Sequence, residues 1–166
     1  MNGFDKYLTP YIISQIASLI ILFLASKRTR WARWSFVLLF FWASCTNMFT
    51  GLTDPDIYLE YAEMAIPLYQ DFINGWFSQH NAIIIPAIAV GQFFIAIAMM
   101  LKGTWVKLSC IGSIIFLLSI APLLIGAAFP FSITVSLAAL LIYWDDDKNY
   151  IWKKQIASDL IKDTAV

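Results

Sequence analysis

Uncharged apolar runs recur along the chain at Leu8 to Ser26, Trp34 to Leu52, Ala82 to Leu101, Leu108 to Ala127 and Pro130 to Trp144. A bilayer-spanning helix needs about 20 mostly apolar residues, so the first four runs each predict a span. The fifth is short and spans only with the help of its aromatic ends or a locally thinned bilayer. Pro122 and the stretch Gly126-Ala-Ala-Phe-Pro130 separate the last two runs without a charged residue. They predict either a tight hairpin between two spans or one bent re-entrant unit over 108–144.

The connection 53–81 is far longer than a hairpin needs. At 100° per residue, Asp56, Glu60, Glu63, Pro67 and Asp71 fall on one side of a helix, and Tyr58, Tyr61, Ala65, Leu68, Tyr69, Phe72 and Trp76 on the other. This predicts an amphipathic helix over 54–79 lying flat. Asp54 would be its N-cap with Pro55 at the first helical position, Pro67 would kink or split it, and Asn74-Gly75 would stop it.

Composition turns these runs into a class. The chain of 166 residues is 60% hydrophobic, 16% aromatic and 13% charged, with a mean hydropathy of +0.72, against about 25% charged residues in an ordinary soluble domain. The reading is an all-α membrane protein with about five transmembrane helices and an exterior amphipathic helix. Residues 1–144 form a single transmembrane domain, and 145–166 form a tail in which Trp152, Ile156 and Leu160 predict a short interfacial helix. Asp145, Asp146 and Asp147 either cap that helix or face basic neighbours. A net charge of +0 leaves no basic surface for nucleic acid.

Charge also orients the spans, because Lys and Arg stay on the cytoplasmic side. Ten of the 11 basic residues, all but Lys6, fall in the connections after the first, third and fifth runs, including Lys27, Arg28, Arg30, Arg33, Lys102 and Lys107. The connection 53–81 holds acids and no Lys or Arg. The N-terminus is therefore expected outside and the C-terminus inside. Met1 to Thr9 has no basic n-region and no small-residue cleavage site before Lys27, so the first run reads as retained.

No Asp, Glu, Lys, Arg or His lies within the five runs, where pumps and voltage sensors place ionisable groups. Gln15, Asn47 and Gln92 are the polar amides there. Gln15 and Gln92 lie near mid-span, either as hydrogen-bonding glue between helices or as donors to a quinone or lipid carbonyl. Small residues repeat at Ser14/Ser18, Ala87/Gly91, Ser109/Ser113 and Ser132/Ser136, which marks close packing within or between protomers. Cys45 and Cys110 read as small buried apolar residues. A single histidine, His80, excludes multi-His metal sites in one protomer. It is either a pH-responsive contact to Glu60 or Glu63 or an ordinary interfacial residue beside Asn81. No Ser-His-Asp set, P-loop, Rossmann fingerprint or HExxH motif occurs. The exterior helix has two readings: a roof whose Tyr58, Tyr61 and Tyr69 cover an apolar pocket while Glu60 or Glu63 meets a polar headgroup, or an interfacial helix with solvated acids.

The order Pro55-x-x-Tyr58-x-x-Tyr61-Ala62, Pro67-x-Tyr69, Leu101-Lys-Gly103, Ile115-Phe116-Leu117, Ala121-Pro122-Leu123 and Ser136-Leu-Ala-Ala-Leu-Leu141 resembles the DoxX-like family of small bacterial membrane proteins over about 34–144. The resemblance implies a four-helix bundle core, a bacterial inner-membrane location and association with membrane redox systems, including quinone-linked ones; the run 8–26 departs from it as an added N-terminal helix. Gln92 stands where such proteins often carry Glu. Three functions fit. One is a non-catalytic membrane subunit or binding module, packing against partner membrane proteins or a second copy, or holding an apolar ligand. Another is a quinone-interacting subunit of an oxidoreductase, with Gln92, Gln15 and the Tyr58/Tyr61 face near the ring. The third is a carrier of small neutral or lipidic molecules. The chain itself implies no cofactor beyond quinone or lipid and no metal.

Overall fold

Lipid offers no water to backbone N–H and C=O groups, so apolar runs of this length must satisfy them internally, as helices do. The computed structural model describes residues 3–152. Among them are six α-helices and no strand: α1 (Gly3–Lys27), α2 (Thr29–Thr53), α3 (Pro67–Phe72), α4 (Ser78–Met100), α5 (Thr104–Ile120) and α6 (Phe131–Asp145). Four segments are long and apolar enough to cross a membrane: Leu8–Lys27, Thr29–Thr53, Pro67–Met100 and Thr104–Ala127. Helix α6 is apolar but shorter, at 15 residues. These helices fit an integral membrane protein.

The five long elements close into a ring. α1 packs against α2 and α6, α2 against α4, α4 against α5, and α5 against α6. Phe36, Phe40, Met99, Cys110, Val135 and Ile142 are buried at its centre. Large apolar side chains such as Ile13, Leu19, Phe23, Leu38, Trp42, Phe94 and Ile115 cover the outside, the inverse of a soluble bundle and the surface that lipid requires. Because lipid tails are as apolar as leucine, such helices associate through close packing and interhelical hydrogen bonds of roughly 0.6–2 kcal/mol each. Ser44 Oγ donates to the Ala89 carbonyl at 2.7 Å and Ser109 Oγ to the Ile95 carbonyl at 2.8 Å, tying α4 to α2 and to α5.

Three of the four small-residue pairs serve this packing: Ser18, Ser109, Ser113, Ser132 and Ser136 are buried. Ala87 and Gly91 instead face outward on α4, and no neighbouring atom lies within 4 Å of where a Gly91 side chain would start. The closest backbone approach comes at Gly51 of α2. A Cβ there would stand 2.9 Å from both Ile85 Cγ2 and Pro86 Cδ of α4. Of the two cysteines, Cys110 is buried as expected, whereas Cys45 is exposed on the outer face, because its position on α2 points away from the stripe that carries Phe40, Ser44 and Asn47.

Helices α5 and α6 form an antiparallel hairpin. The Gly103 N–H before α5 donates to the Lys148 carbonyl after α6 at 2.6 Å, and a 3₁₀ turn over Ala121–Ala127 joins their other ends. Leu124 and Ala128 in that connection take positive φ angles of 51° and 50°, and Ala128 lies in the left-handed helical region, which costs roughly 1–2 kcal/mol in a residue with a Cβ. The chain after α6 lies against the start of α2 and the end of α4, where the basic connections also meet. The connection 54–77 meets the 121–130 turn at the opposite end. Each end thus carries one sign of charge in excess.

Candidate functional site

The segment 54–79 folds differently from a single amphipathic α-helix. Its first half is a 3₁₀ helix, Pro55–Met64, and Pro67 starts α3, so proline splits the segment. The 3₁₀ repeat of three residues per turn puts Leu59, Ala62 and Ala65 inward, where they form a small core with Ile73, Tyr61, Tyr69 and Leu123. Leu68, Phe72 and Trp76, expected on the apolar face, point away from the bundle. Asp54 precedes the segment without a side-chain capping bond. Asn74-Gly75 stops nothing, because a π turn over Ile73–Phe77 carries the chain directly from α3 into α4. Phe72, Trp76 and His80 stack in series at 5.8 and 4.6 Å between ring centroids. His80 Nδ1 stands 2.8 Å from the Trp76 carbonyl. Asn81 Nδ2 donates to Asp56 at 2.8 Å, binding the start of this roof to α4.

Tyr58 reaches from the roof into the bundle. Its hydroxyl donates to Asn47 Oδ1 at 2.5 Å, and Asn47 Nδ2 donates to Gln92 Oε1 at 2.8 Å. A phenol and two amides from the roof, α2 and α4 therefore form one chain. Gln92 is 2% exposed. Burial raises the Tyr58 pKa because the phenolate would lose its hydration, which keeps the hydroxyl a neutral donor. Tyr61 packs edge-on against Tyr58 at 5.7 Å and lies over Gly126, where a Cβ would approach its ring to 3.0 Å.

The remaining sequence candidates lie apart from this chain. Tyr69 donates its hydroxyl to the Ser119 carbonyl at 2.7 Å, fastening α3 to the end of α5. Glu60 and Glu63 are on the exposed side of the roof. Gln15 Nε2 donates to the Ala128 carbonyl at 2.7 Å, and Tyr11 donates to the Phe129 carbonyl at 2.9 Å. Helix α1 thereby clamps the left-handed turn before α6, so Gln15 acts between helices, as one of its two readings expects.

The opposite end holds a polar centre that sequence reasoning placed in loops. Arg33 belongs to α2 and its side chain is buried. Its Nη1 meets Asp146 Oδ1 at 3.0 Å, and its guanidinium also donates to the carbonyls of Met99, Leu101 and Asn149 at 2.7 to 3.0 Å. The C-terminal carbonyls of α4 have no intrahelical partner, so Arg33 caps that helix from its neighbour. Burial pushes the Asp146 carboxyl above its ordinary range, against the opposing pull of Arg33 and of the Lys148 backbone N–H. The periodicity carried the signal: Arg33, Phe36, Phe40, Ser44 and Asn47 recur at helical spacing, as do Val135, Ala139, Ile142 and Asp146. Cutting the helices at the first charge hid both stripes.

Among the described residues, no cluster of His, Cys, Asp or Glu is arranged to hold a metal ion. The predicted tail stripe of Ile156 and Leu160 lies outside the described residues. No family model matches the chain, and neither does any curated protein or solved structure.

Proposed function

We propose that this integral membrane protein is a non-catalytic subunit or binding module, a fixed bundle that packs against partner membrane proteins. The observation that carries this reading is where its interior polar side chains are directed. Asn47, Gln92 and Tyr58 bond to one another, Gln15 bonds to a carbonyl beside α6, and Arg33 bonds to Asp146 and three carbonyls. Each links separate parts of the fold, as amides and hydroxyls do when they act as glue in lipid. The orientation with the N-terminus outside, and a bacterial inner-membrane location, belong to this proposal. The segregation of basic and acidic connections to opposite ends supports the orientation. The DoxX-like resemblance enters here as a proposal too. The four helices it expects as a core are α2, α4, α5 and α6, and α1 fills the gap between α6 and α2.

Native mass spectrometry of the protein gently extracted from its source membrane tests the reading. Co-purifying chains in fixed stoichiometry support a complex subunit. A lone protomer carrying a defined quinone or lipid would replace it with a ligand-binding role. The Tyr58–Asn47–Gln92 chain favours a second reading, a quinone-interacting subunit, because it gathers a neutral phenol and two amides that can meet a quinone carbonyl. Unchanged quinone-coupled activity of Gln92→Leu in an assembled complex would remove that reading.

A further inference from the structure

A cleft of about 420 Å³ opens at the basic end of the bundle, between the α1–α2 connection and the chain that follows α6. Its size falls in the range of small-molecule sites, about 300–1,000 Å³. Lys27, Arg28 and Arg30 line it on one side, and Asp145, Asp147 and Tyr150 on the other. Arg30 is held in place by a 2.6 Å bond from Nε to the Ile151 carbonyl. Asp147 is held by the backbone N–H and side-chain amide of Asn149, each at 3.1 Å. Among the described residues, none of these five charges pairs with another at ion-pair distance, and the only ion pair formed here is Arg33 with Asp146. Cations and carboxylates are therefore held apart across one opening.

The occupant follows from that arrangement and from depth. The cleft sits between the apolar runs of α1 and α2 and is lined in part by exposed Trp31, the level at which tryptophan and basic residues meet lipid headgroups. A purely anionic headgroup would satisfy the three cations but face two carboxylates. A headgroup bearing both a phosphate and a primary ammonium satisfies both walls: the phosphate takes charge-assisted bonds from lysine and arginine, and the ammonium donates to the carboxylates. We infer that this cleft binds the headgroup of an aminophospholipid of the phosphatidylethanolamine type. A choline headgroup fits less well, since its quaternary nitrogen has no N–H to donate. The inference rests on the proposal that the bundle lies in a membrane.

Native mass spectrometry from bilayers containing equal amounts of phosphatidylethanolamine, phosphatidylcholine and phosphatidylglycerol with matched acyl chains tests it. At least tenfold preferential retention of phosphatidylethanolamine is expected. Arg28→Gln should lower retention of all phospholipids, and Asp145→Asn should shift preference toward phosphatidylglycerol. Both side chains are exposed, and circular dichroism checks that the variants fold. Equal retention of the three lipids, or preference for phosphatidylglycerol by the unaltered protein, would overturn the inference. Displacement of the lipid by millimolar free phosphoethanolamine would also overturn it, because it would make a soluble ester the ligand. Co-flotation with vesicles separates the two levels. Failure to float contradicts the membrane proposal itself, whereas flotation without lipid preference contradicts only the site.

Discussion

Arg33 of α2 and Asp146 beyond α6 stand 3.0 Å apart with side chains 2% exposed each. They connect the second helix to the end of the last, and Arg33 meanwhile satisfies carbonyls at the end of α4. One guanidinium thus joins three parts of the chain that are remote in sequence.

Removing one member of a buried pair strands the other charge, at a cost of roughly 3–5 kcal/mol. Arg33→Met should therefore destabilise the protein by about that much, since it also orphans the carbonyls of Met99, Leu101 and Asn149. Asp146→Asn also strands a charge, that of Arg33, but keeps the shape, an acceptor and the guanidinium's bonds to three carbonyls, and should cost less. Denaturation in mild detergent measures both. A loss for Arg33→Met no larger than for a surface Arg28→Met would contradict the role assigned to the pair.

The same pair sets a pH dependence. A carboxyl raised in the folded state binds its proton more readily there than in the unfolded chain. Its contribution to stability is thus greatest below its ordinary value of 3.8 and is lost as pH rises through the raised value. Asp146→Asn removes this titration. The stability difference between the two proteins should shift in favour of the unaltered one as pH falls from neutral toward 4. A pH-independent difference would argue against a raised Asp146.

Breaking the roof-to-bundle chain should cost less than breaking the ion pair. Tyr58→Phe removes one donor to Asn47, and Gln92→Leu removes the acceptor beyond it. Each should cost on the order of 1–3 kcal/mol. Because both act through Asn47, a double-mutant cycle should give a coupling of roughly 0.5–3 kcal/mol. Strict additivity would mean that the three side chains do not act as one chain.

Two glycines should respond oppositely to the same change. Gly51→Ala pushes a methyl into Ile85 and Pro86 across the α2–α4 contact, and overpacking of this kind costs roughly 1–3 kcal/mol. Gly91→Ala meets open space and gains up to about 1 kcal/mol of helix propensity. Thermal denaturation of the two variants side by side decides it. Equal losses would place the closest approach elsewhere.

The proposed orientation has a direct probe. In a background lacking Cys45 and Cys110, a membrane-impermeant thiol reagent outside intact cells should label a cysteine at Asn74 and leave one at Arg28 unlabelled. Both positions are exposed, so the reagent reports sidedness rather than burial. The reverse pattern would invert the topology.

The apolar runs and the charges between them determined the helical class, the approximate spans and the segregation of charge, because lipid allows a long uncharged segment few alternatives to a helix. Periodicity placed Tyr58 and Tyr61 together on one face of the segment 54–79, and position near mid-span singled out Gln92. Only the tertiary structure decided that Asn47 would join Tyr58 to Gln92, that Gln15 would clamp the turn before α6, and that Arg33 would leave the surface to meet Asp146. Those partners lie 11 to 113 residues apart, and hydropathy records only how polar a residue is. Whether a polar residue at a helix end faces water or a distant carboxylate depends on which helices become neighbours. The ring of α1, α2, α4, α5 and α6 set that.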